Sequence, residues 1–337
     1  MKRLNNCIEG KNYDKCPIWF MRQAGRYLPE FNEIRKNNPD FIDLCLNEKL
    51  SAEISLQPLK RYDLDAAIIF SDILIIPYGL GQNIIFKKNI GPKLDNLILD
   101  RIFHLNKKEF INKVKPVYKA IKKIRKQVTE DKSIIGFVGA PWTLLVYMIN
   151  KESPRNNINI NKILNDKFLI NKLLNKLEEI ICLHADKQIE AGANVIQIFD
   201  SWAGILPQKN LSEYCYIPNL KIVRHIQSKK IPTICFPRGI GKNYIEFCSI
   251  VKPNCISIDY DVNPGWIKNK LKGIPIQGGM DPKILLLDKK KIRESVEEYL
   301  KIFNDYPYVF NLGHGIMPNT KPEIIDYVIK IVRNKKK

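Results

Sequence analysis

The sequence predicts an α/β protein that folds as a single (β/α)8 barrel of the TIM type, with parallel strands. Eight short apolar segments are spread over 337 residues, and segments with helical periodicity alternate with them. Near-continuous apolar strands are typical of a parallel sheet covered by helices. Eight strand–helix units over this length fit a closed barrel, whose active site lies at the carboxyl ends of the strands.

The predicted strands are short, and each one stops at Gly, Pro or a polar residue that begins a loop. They span 17–21, 66–70, 134–138, 195–199, 232–236, 255–258, 274–277 and 308–312. Apolar residues at helical spacing predict helices over 43–60, 107–130, 143–150, 164–191, 212–228, 241–251, 264–271, 284–304 and 322–333, and 83–94 predicts a small extended excursion.

The structural rival is an open, doubly wound sheet. Such a sheet normally carries a Gly-x-Gly-x-x-Gly turn after an early strand. The nearest approach, at 79–81, lacks the third glycine and the preceding strand. No linker divides the chain, so we expect one domain over residues 1–337.

The ends and apolar runs of the chain predict a cytoplasmic protein that does not cross a membrane. No apolar segment follows the basic residues at the start, which argues against a signal peptide. The longest uncharged run, 133–149, is shorter than the roughly 20 residues of a membrane span, and two glycines and a proline interrupt it.

The net charge of +20 does not by itself indicate a nucleic-acid or membrane partner. Lysine is abundant throughout the chain, and its short clusters do not alternate with aromatic residues as in a single-strand binding surface. We therefore expect neither partner. The eight cysteines show no Cys-x-x-Cys pair and no zinc-ligand spacing, which predicts reduced structural thiols and no metal.

Polar residues follow most of the predicted strands, so the barrel would gather them at one mouth. They are Arg22, Gln23, Arg26, Asp72, Trp142, Ser201, Arg238, Asp259, Asp281 and His314. The arginines provide planar donor groups that suit carboxylates or phosphates. Glycines are also dense at these positions, which we interpret as room for a large flat ligand near the backbone.

Each polar residue also has a structural interpretation. Asp72 could cap the following turn, and His314 could belong to a tight turn between two glycines. Ser201 has no pattern that marks a nucleophile, so hydrogen bonding is the better interpretation. Tyr147, on an apolar stretch, could serve core packing. The carboxylates of Asp259 and Asp281 could pair with arginines at the rim.

Five segments together carry a close resemblance to the uroporphyrinogen decarboxylase family. They are MRQAGRYLPE at 21–30, FSDIL at 70–74, GAPWTL at 139–144, FDSWAG at 199–204 and NLGHG at 311–315. The resemblance extends over nearly the whole chain. It implies a cofactor-independent carboxy-lyase of haem biosynthesis, which converts the acetates of uroporphyrinogen III to the methyl groups of coproporphyrinogen III.

The resemblance also implies roles for individual residues. Arg22, Arg26 and the backbone of Gln23, Ala24 and Gly25 would hold substrate carboxylates. Asp72 would bind the pyrrole N–H groups and stabilise the cation that forms during the reaction. The contacts to the substrate's side chains would come from Tyr147, Ser201 and His314.

Further expectations from the resemblance are a homodimer and a reaction that needs no metal or organic cofactor. Arg22 and Arg26 are both candidates for a proton relay. Two alternatives remain: a corrinoid- or folate-linked methyltransferase of the same superfamily, and a basic protein that binds RNA or a membrane surface. The methyltransferase relatives use a zinc site of His and Cys, whereas the strand ends here lack a His-x-Cys pair.

Overall fold

The computed structural model describes residues 2–11, 13–87, 90–154 and 164–334. Within these ranges, seven parallel strands form one curled sheet, in the order β1-β4-β5-β6-β7-β8-β9, and two strands form a separate antiparallel hairpin. The strands are β1 (Ala66–Ile68), β2 (Ile84–Lys87), β3 (Gly91–Leu94), β4 (Ser133–Gly139), β5 (Val195–Asp200), β6 (Thr233–Pro237), β7 (Cys255–Ile258), β8 (Ile276–Gly278) and β9 (Tyr308–Val309).

Helices connect successive strands of the sheet and cover its outer face. They span Arg3–Ile8, Pro29–Asn37, Phe41–Cys45, Glu48–Arg61, Ile75–Gly79, Leu99–His104, Lys107–Arg125, Pro141–Asn150, Lys167–Glu190, Gln208–Leu211, Ile217–Ser228, Tyr244–Val251, Pro264–Lys270, Lys289–Ile302 and Pro322–Asn334. Because all strands of the sheet are parallel, their carboxyl ends lie at the same edge. The alternation predicted from the sequence is therefore confirmed, as is the α/β class.

The first predicted strand, 17–21, closes the sheet without forming a regular ladder. It lies between the edge strands β9 and β1, and its one backbone bridge is parallel, between Ile18 and Phe310. Buried side chains supply much of the remaining pairing. The N–H of Ile18 donates to Asp65 Oδ2 at 2.7 Å, and that of Met21 donates to Asn311 Oδ1 at 3.1 Å. We call this segment and its partners the seam.

Two buried cores share the sheet as their common wall. The larger lies between the sheet and its helices. The smaller fills the inside of the barrel, where alternate strand residues meet Leu4, Cys7 and Ile8 of the first helix at the amino-terminal end. A polar layer also lies inside, where fully buried Gln277 accepts from Trp19 Nε1 at 2.8 Å. The interior is thus filled by side chains, as expected of a small barrel.

Two predicted helices are interrupted, and helix caps explain both breaks. The predicted helix 43–60 is split because Asn47 accepts from the N–H groups of Lys49 and Leu50 and so starts Glu48–Arg61. In 284–304, Asp288 caps Lys289–Ile302 in the same way, after a short 3-10 turn. Such caps favour a new helix start over a continued one. The predicted helix 164–191 is slightly shorter in the structure, where it spans Lys167–Glu190.

We predict that Asp65 is the main electrostatic support of the seam. Its carboxylate is 2% exposed and pairs with Arg3 at 3.2 Å and with Arg333 at 2.8 Å, besides accepting from Ile18. Asp65→Asn leaves two arginines without this counter-charge, so the free energy of unfolding in urea should fall by about 3 kcal/mol.

The matched control is Asp63→Asn, which removes a carboxylate that also pairs with Arg333, at 2.8 Å, but is 58% exposed. Exposed pairs contribute little, so this variant should lose less than about 1 kcal/mol. Equal losses in the two variants would contradict the role of Asp65.

Candidate active site

The loop that follows the seam presents two arginines and a run of backbone N–H groups. Arg22 and Arg26 are both exposed at the mouth. In the described part of the chain, the N–H groups of Ala24, Gly25 and Arg26 have no hydrogen-bond acceptor. Successive free N–H groups form a concave site for an anion. The loop can thus bind carboxylate through its backbone as well as through its guanidinium groups.

Gln23 holds this loop in place and does not face the cleft. Its fully buried side chain accepts from the N–H of Phe20 at 3.0 Å and donates to the carbonyl of Ala66 at 2.9 Å. Its carbonyl accepts from Tyr27 Oη at 2.9 Å. The side-chain amide of Gln23 thus serves the seam, and the expected role of its backbone in substrate binding stays a prediction.

Arg22 has a strained backbone and a side chain that needs a glycine beside it. Its φ is 61°, in the left-handed region that residues with a side chain rarely adopt. Its aliphatic stem packs against Gly315, where any Cβ would overlap it. Strain of this kind is found where the surrounding structure fixes a functional residue. The loop that contains Arg22 and the loop that contains Gly315 therefore determine where the Arg22 guanidinium lies.

The charge of Arg22 is poorly compensated. Although Arg22 is exposed at the mouth, the groups around its guanidinium partly desolvate it, and this desolvation lowers the pKa of Arg22. The nearby charge of Arg26 lowers it further, and the carboxylate of Asp72 opposes both. No ion pair or hydrogen bond engages the guanidinium groups of Arg22, Arg26 or Arg238 within the described ranges. Three cationic side chains thus share the mouth without a partner, which favours an anionic ligand.

Asp72 follows β1 and is partly buried beside this cluster. Its Oδ1 accepts from the N–H of Leu74 at 2.8 Å, so the predicted capping contact exists. Its Oδ2 has no partner among the described residues and can accept from a ligand. Burial raises the pKa of Asp72 to about 6, although the Leu74 N–H and the charge of Arg22 both lower it. One oxygen therefore shapes the turn, and the other remains available for chemistry.

Tyr147, Trp202 and Ser201 form the side of the mouth next to β5. Tyr147 lies on the helix Pro141–Asn150, and its ring meets that of Trp202 edge-on at 6.0 Å. Burial raises the pKa of Tyr147, with a further rise from Asp72 and an opposing effect of Arg22, so the phenol lies near both. Ser201 is partly exposed beside Trp202. No contact of its own ties Ser201 to the charged cluster.

His314 is neutral and presents one N–H group to the mouth. The N–H of Gly315 donates to Nδ1 of His314 at 2.7 Å, so this nitrogen is an acceptor and the proton resides on Nε2. Burial, together with the positive charges of Arg22 and Arg238, lowers the pKa of His314 to about 4. The imidazole can therefore donate a hydrogen bond without adding charge.

Asp259 and Asp281 serve the rim, but neither pairs with an arginine of the described ranges, as one interpretation expected. Asp259 Oδ2 accepts from the N–H of Gly239 at 2.7 Å and from Tyr244 Oη at 3.1 Å. Asp281 Oδ1 caps a 3-10 turn by accepting from the N–H of Lys283 at 2.9 Å. Both carboxylates fix the loops around the mouth, so their role is structural.

The glycines at the mouth make room for protein and not, as predicted, mainly for ligand. A Cβ at Gly204 would lie 2.6 Å from the carbonyl oxygen of Gly239, and one at Gly278 would lie 2.8 Å from that of Leu312. At Gly313 a Cβ would overlap the backbone of Tyr260. Close packing of the strand-end loops therefore explains these glycines.

The site as a whole is cationic and contains one available carboxylate. The structure brings together Arg22, Arg26, Asp72, Tyr147, Arg238 and His314. The residues that the structure describes contain no group of three or more His, Cys, Asp or Glu side chains that could hold a metal ion. None of their helices is long and apolar enough to cross a membrane. The arrangement can bind several carboxylates around one buried acid.

Comparisons with known proteins give one family. The family model described as uroporphyrinogen decarboxylase (URO-D) matches residues 1–335. A uroporphyrinogen decarboxylase of Rickettsia bellii is 40% identical over 337 residues, covering 99% of this chain and 96% of that protein. One of Rickettsia canadensis is 38% identical and covers 100% of both chains.

Solved structures show similarity of fold. A methyltransferase from Methanosarcina mazei has a TM-score of 0.80 with 17% identity, and covers 98% of this chain and 97% of that one. A B12-independent methionine synthase from Shewanella sp. W3-18-1 has a TM-score of 0.54 with 14% identity, covering 86% and 89%. At these identities the likeness concerns the barrel fold alone.

We predict that Asp72→Asn stabilises the folded protein at neutral pH. Because burial raises the pKa of Asp72 to about 6 from its ordinary value of 3.8, the ionised carboxylate costs stability above pH 6. This cost disappears as the pH falls through 6 towards 4. The variant keeps the Leu74 contact, so unfolding in urea at pH 7.5 should require about 1 to 2 kcal/mol more, with a smaller gain at pH 4.5.

Asp281→Asn is the control, because it changes a carboxylate with the same kind of capping contact outside the arginine cluster. Its stability should stay within about 0.5 kcal/mol of the parent at both pH values, since Asn and Asp cap comparably. A loss of stability in Asp72→Asn at pH 7.5 would contradict the prediction.

Proposed function

The chain belongs to the uroporphyrinogen decarboxylase family, and we propose that it removes CO2 from the four acetate side chains of uroporphyrinogen III to give coproporphyrinogen III. The observation that carries this proposal is the half-buried Asp72, with a free Oδ2, beside unpaired arginines. A tetrapyrrole has many carboxylates, which match the arginines, and central N–H donors, which match the free oxygen of Asp72.

The carboxylates of the substrate match the cationic wall of the mouth. Arg22 and Arg26 bind them through planar donor groups, and the free N–H groups of Ala24 and Gly25 supply further donors between the two arginines. Tyr147, Ser201 and the Nε2–H of His314 donate to other carboxylates around the macrocycle. These donors come from several different segments around the mouth, which suits a broad, flat substrate.

Asp72 stabilises the cation through which each decarboxylation passes. Protonation of a pyrrole carbon makes the ring cationic, and the electron pair of the breaking C–C bond then neutralises the ring as CO2 leaves. The resulting methylene group takes up one proton to become methyl, while the ring loses the proton it gained. Each acetate thus consumes one proton overall. A carboxylate fixed at the pyrrole nitrogens stabilises this charge as it develops.

The electron sink is the substrate's own ring, so we propose that the reaction requires no metal or organic cofactor. The proton enters through a side chain near the acetate, and Arg22 and Arg26 are the two candidates. Burial lowers the pKa of Arg22, which makes its guanidinium a stronger acid than a free one. We further propose that residues 1–337 act as one catalytic domain in the cytoplasm.

We also propose a homodimer, as family membership implies. The structure offers exposed apolar side chains in segments that follow the carboxyl ends of β5 and β8, namely Ile217, Leu286 and Leu287, which are 39% to 45% exposed. Burial of such side chains stabilises association between copies. Light scattering at micromolar concentration should give twice the mass of one chain, and the mass of one chain would contradict the proposal.

The direct test is turnover of uroporphyrinogen by purified protein under anaerobic conditions, with and without EDTA. The products are oxidised and separated by their number of carboxyl groups. We expect the eight-carboxyl substrate to give a four-carboxyl product at the same rate in both samples. Activity that the chelator abolishes and zinc restores would favour a metal-dependent enzyme instead.

We predict that Asp72→Asn lowers kcat by on the order of a hundredfold or more. The amide keeps the size of the side chain and the contact to Leu74 but removes the negative charge that the cation requires. If the residue were only a cap, Asn would serve about as well. Turnover near the parental value in a folded variant would therefore favour the capping role.

We predict that Arg22→Lys raises the KM for uroporphyrinogen by roughly tenfold, although the charge is kept. A lysine ammonium cannot form the paired hydrogen bonds of a guanidinium with a carboxylate. Both residues have a Cβ, so the strain at φ 61° is the same in parent and variant. Steady-state measurements should show the change, whereas Arg224→Lys, on the exposed face of helix Ile217–Ser228, should keep the parental constants.

A further inference from the structure

We propose that Arg238 is a further substrate-binding residue, which binds one carboxylate of the tetrapyrrole together with the Nε2–H of His314. This inference rests on the proposed function and adds a binding position to it. It is distinct from the loop that contains Arg22 and Arg26, since Arg238 follows β6 on another side of the mouth. The ligand chemistry is a carboxylate on a ring substituent.

The backbone around Arg238 is fixed by the loops that follow β5 and β7. Its N–H donates to the carbonyl of Asp200 at 3.1 Å, and its carbonyl accepts from the N–H of Gly204 at 2.9 Å. The next N–H, that of Gly239, donates to Asp259 Oδ2 at 2.7 Å. A side chain that starts from so rigid a base loses little freedom when it binds a ligand.

The guanidinium of Arg238 has no protein partner although the residue is partly buried. No ion pair or hydrogen bond reaches it from the described residues. The contrast is Arg333, which is 10% exposed and is engaged by both Asp63 and Asp65. A partly buried charge without a counter-charge is costly for the free protein, and binding of an anion removes that cost.

His314 lies within reach of the same charge. His314 follows β9 and Arg238 follows β6, so both lie at the carboxyl ends of the strands. Besides burial, the positive charges of Arg22 and Arg238 lower the pKa of His314, so these charges lie near the imidazole. Since Nδ1 accepts from the N–H of Gly315, the Nε2–H is the group left to donate to a ligand. A carboxylate has two oxygens and can accept from a guanidinium and an imidazole at once.

The experiment compares Arg238→Gln and Arg238→Lys with Arg224→Gln, which removes one exposed charge that is unpaired within the described ranges. For Arg238→Gln we expect a rise in the KM for uroporphyrinogen of roughly tenfold or more, with kcat within threefold of the parent. Arg238→Lys should recover part of this loss. The control should keep the parental constants.

Salt dependence separates lost ligand contact from altered structure. Added NaCl weakens contacts between charges, so the KM of the parent and of Arg238→Lys should rise more steeply with salt than that of Arg238→Gln. A KM and salt slope in Arg238→Gln equal to those of Arg224→Gln would overturn the inference. A loss in Arg238→Gln that is confined to kcat would also overturn the inference. If the parent itself does not turn over uroporphyrinogen, the proposed function fails first, so the two failures are distinguishable.

Discussion

The closing of the barrel is the constraint on which the site depends. At the seam, side chains supplement the backbone pairing: Asp65 accepts from Ile18, Asn311 accepts from Met21, and Gln23 joins Phe20 to Ala66. Such buried polar groups stabilise only when their partners are all in place. Because the chain runs from the seam directly into the loop with Arg22, any slip in the closure would displace the arginines that the site requires.

The site contains charges that the free protein does not neutralise. Arginines without counter-charges and a buried acid with a raised pKa both disfavour the folded state. The surrounding structure compensates through tight backbone packing at the strand ends, where Gly204 meets Gly239 and Gly278 meets the backbone of Leu312. Stability at the mouth thus comes from close packing, and the uncompensated charge is kept for a ligand. An active site that is preorganised for an anion is necessarily less stable without it.

Much of the fold could be predicted from the sequence, because a parallel strand covered by helices must be apolar along its length. The rule that strand ends meet at one mouth also placed Arg22, Asp72 and His314 together. The sequence did not reveal that side chains complete the pairing of the first strand, since Asp65 and Asn311 lie far from it along the chain. Nor did it reveal that Gln23 faces inwards. In the sequence, a glutamine that binds a ligand cannot be told from one that binds the backbone. Only the three-dimensional contacts distinguish the two cases.

The net charge of the whole chain and the charge of the site have different consequences for ligand binding. The net charge of +20 is distributed over lysines, and many of these form exposed ion pairs, such as Lys119 and Lys123 with Glu48. Such pairs are solvated and exchange readily, so they select no particular anion. Three arginines held on two loops around one carboxylate do select, because they fix the distances between several anionic groups. A general positive field can raise the rate at which a polyanion arrives, but only the fixed groups determine which polyanion is bound.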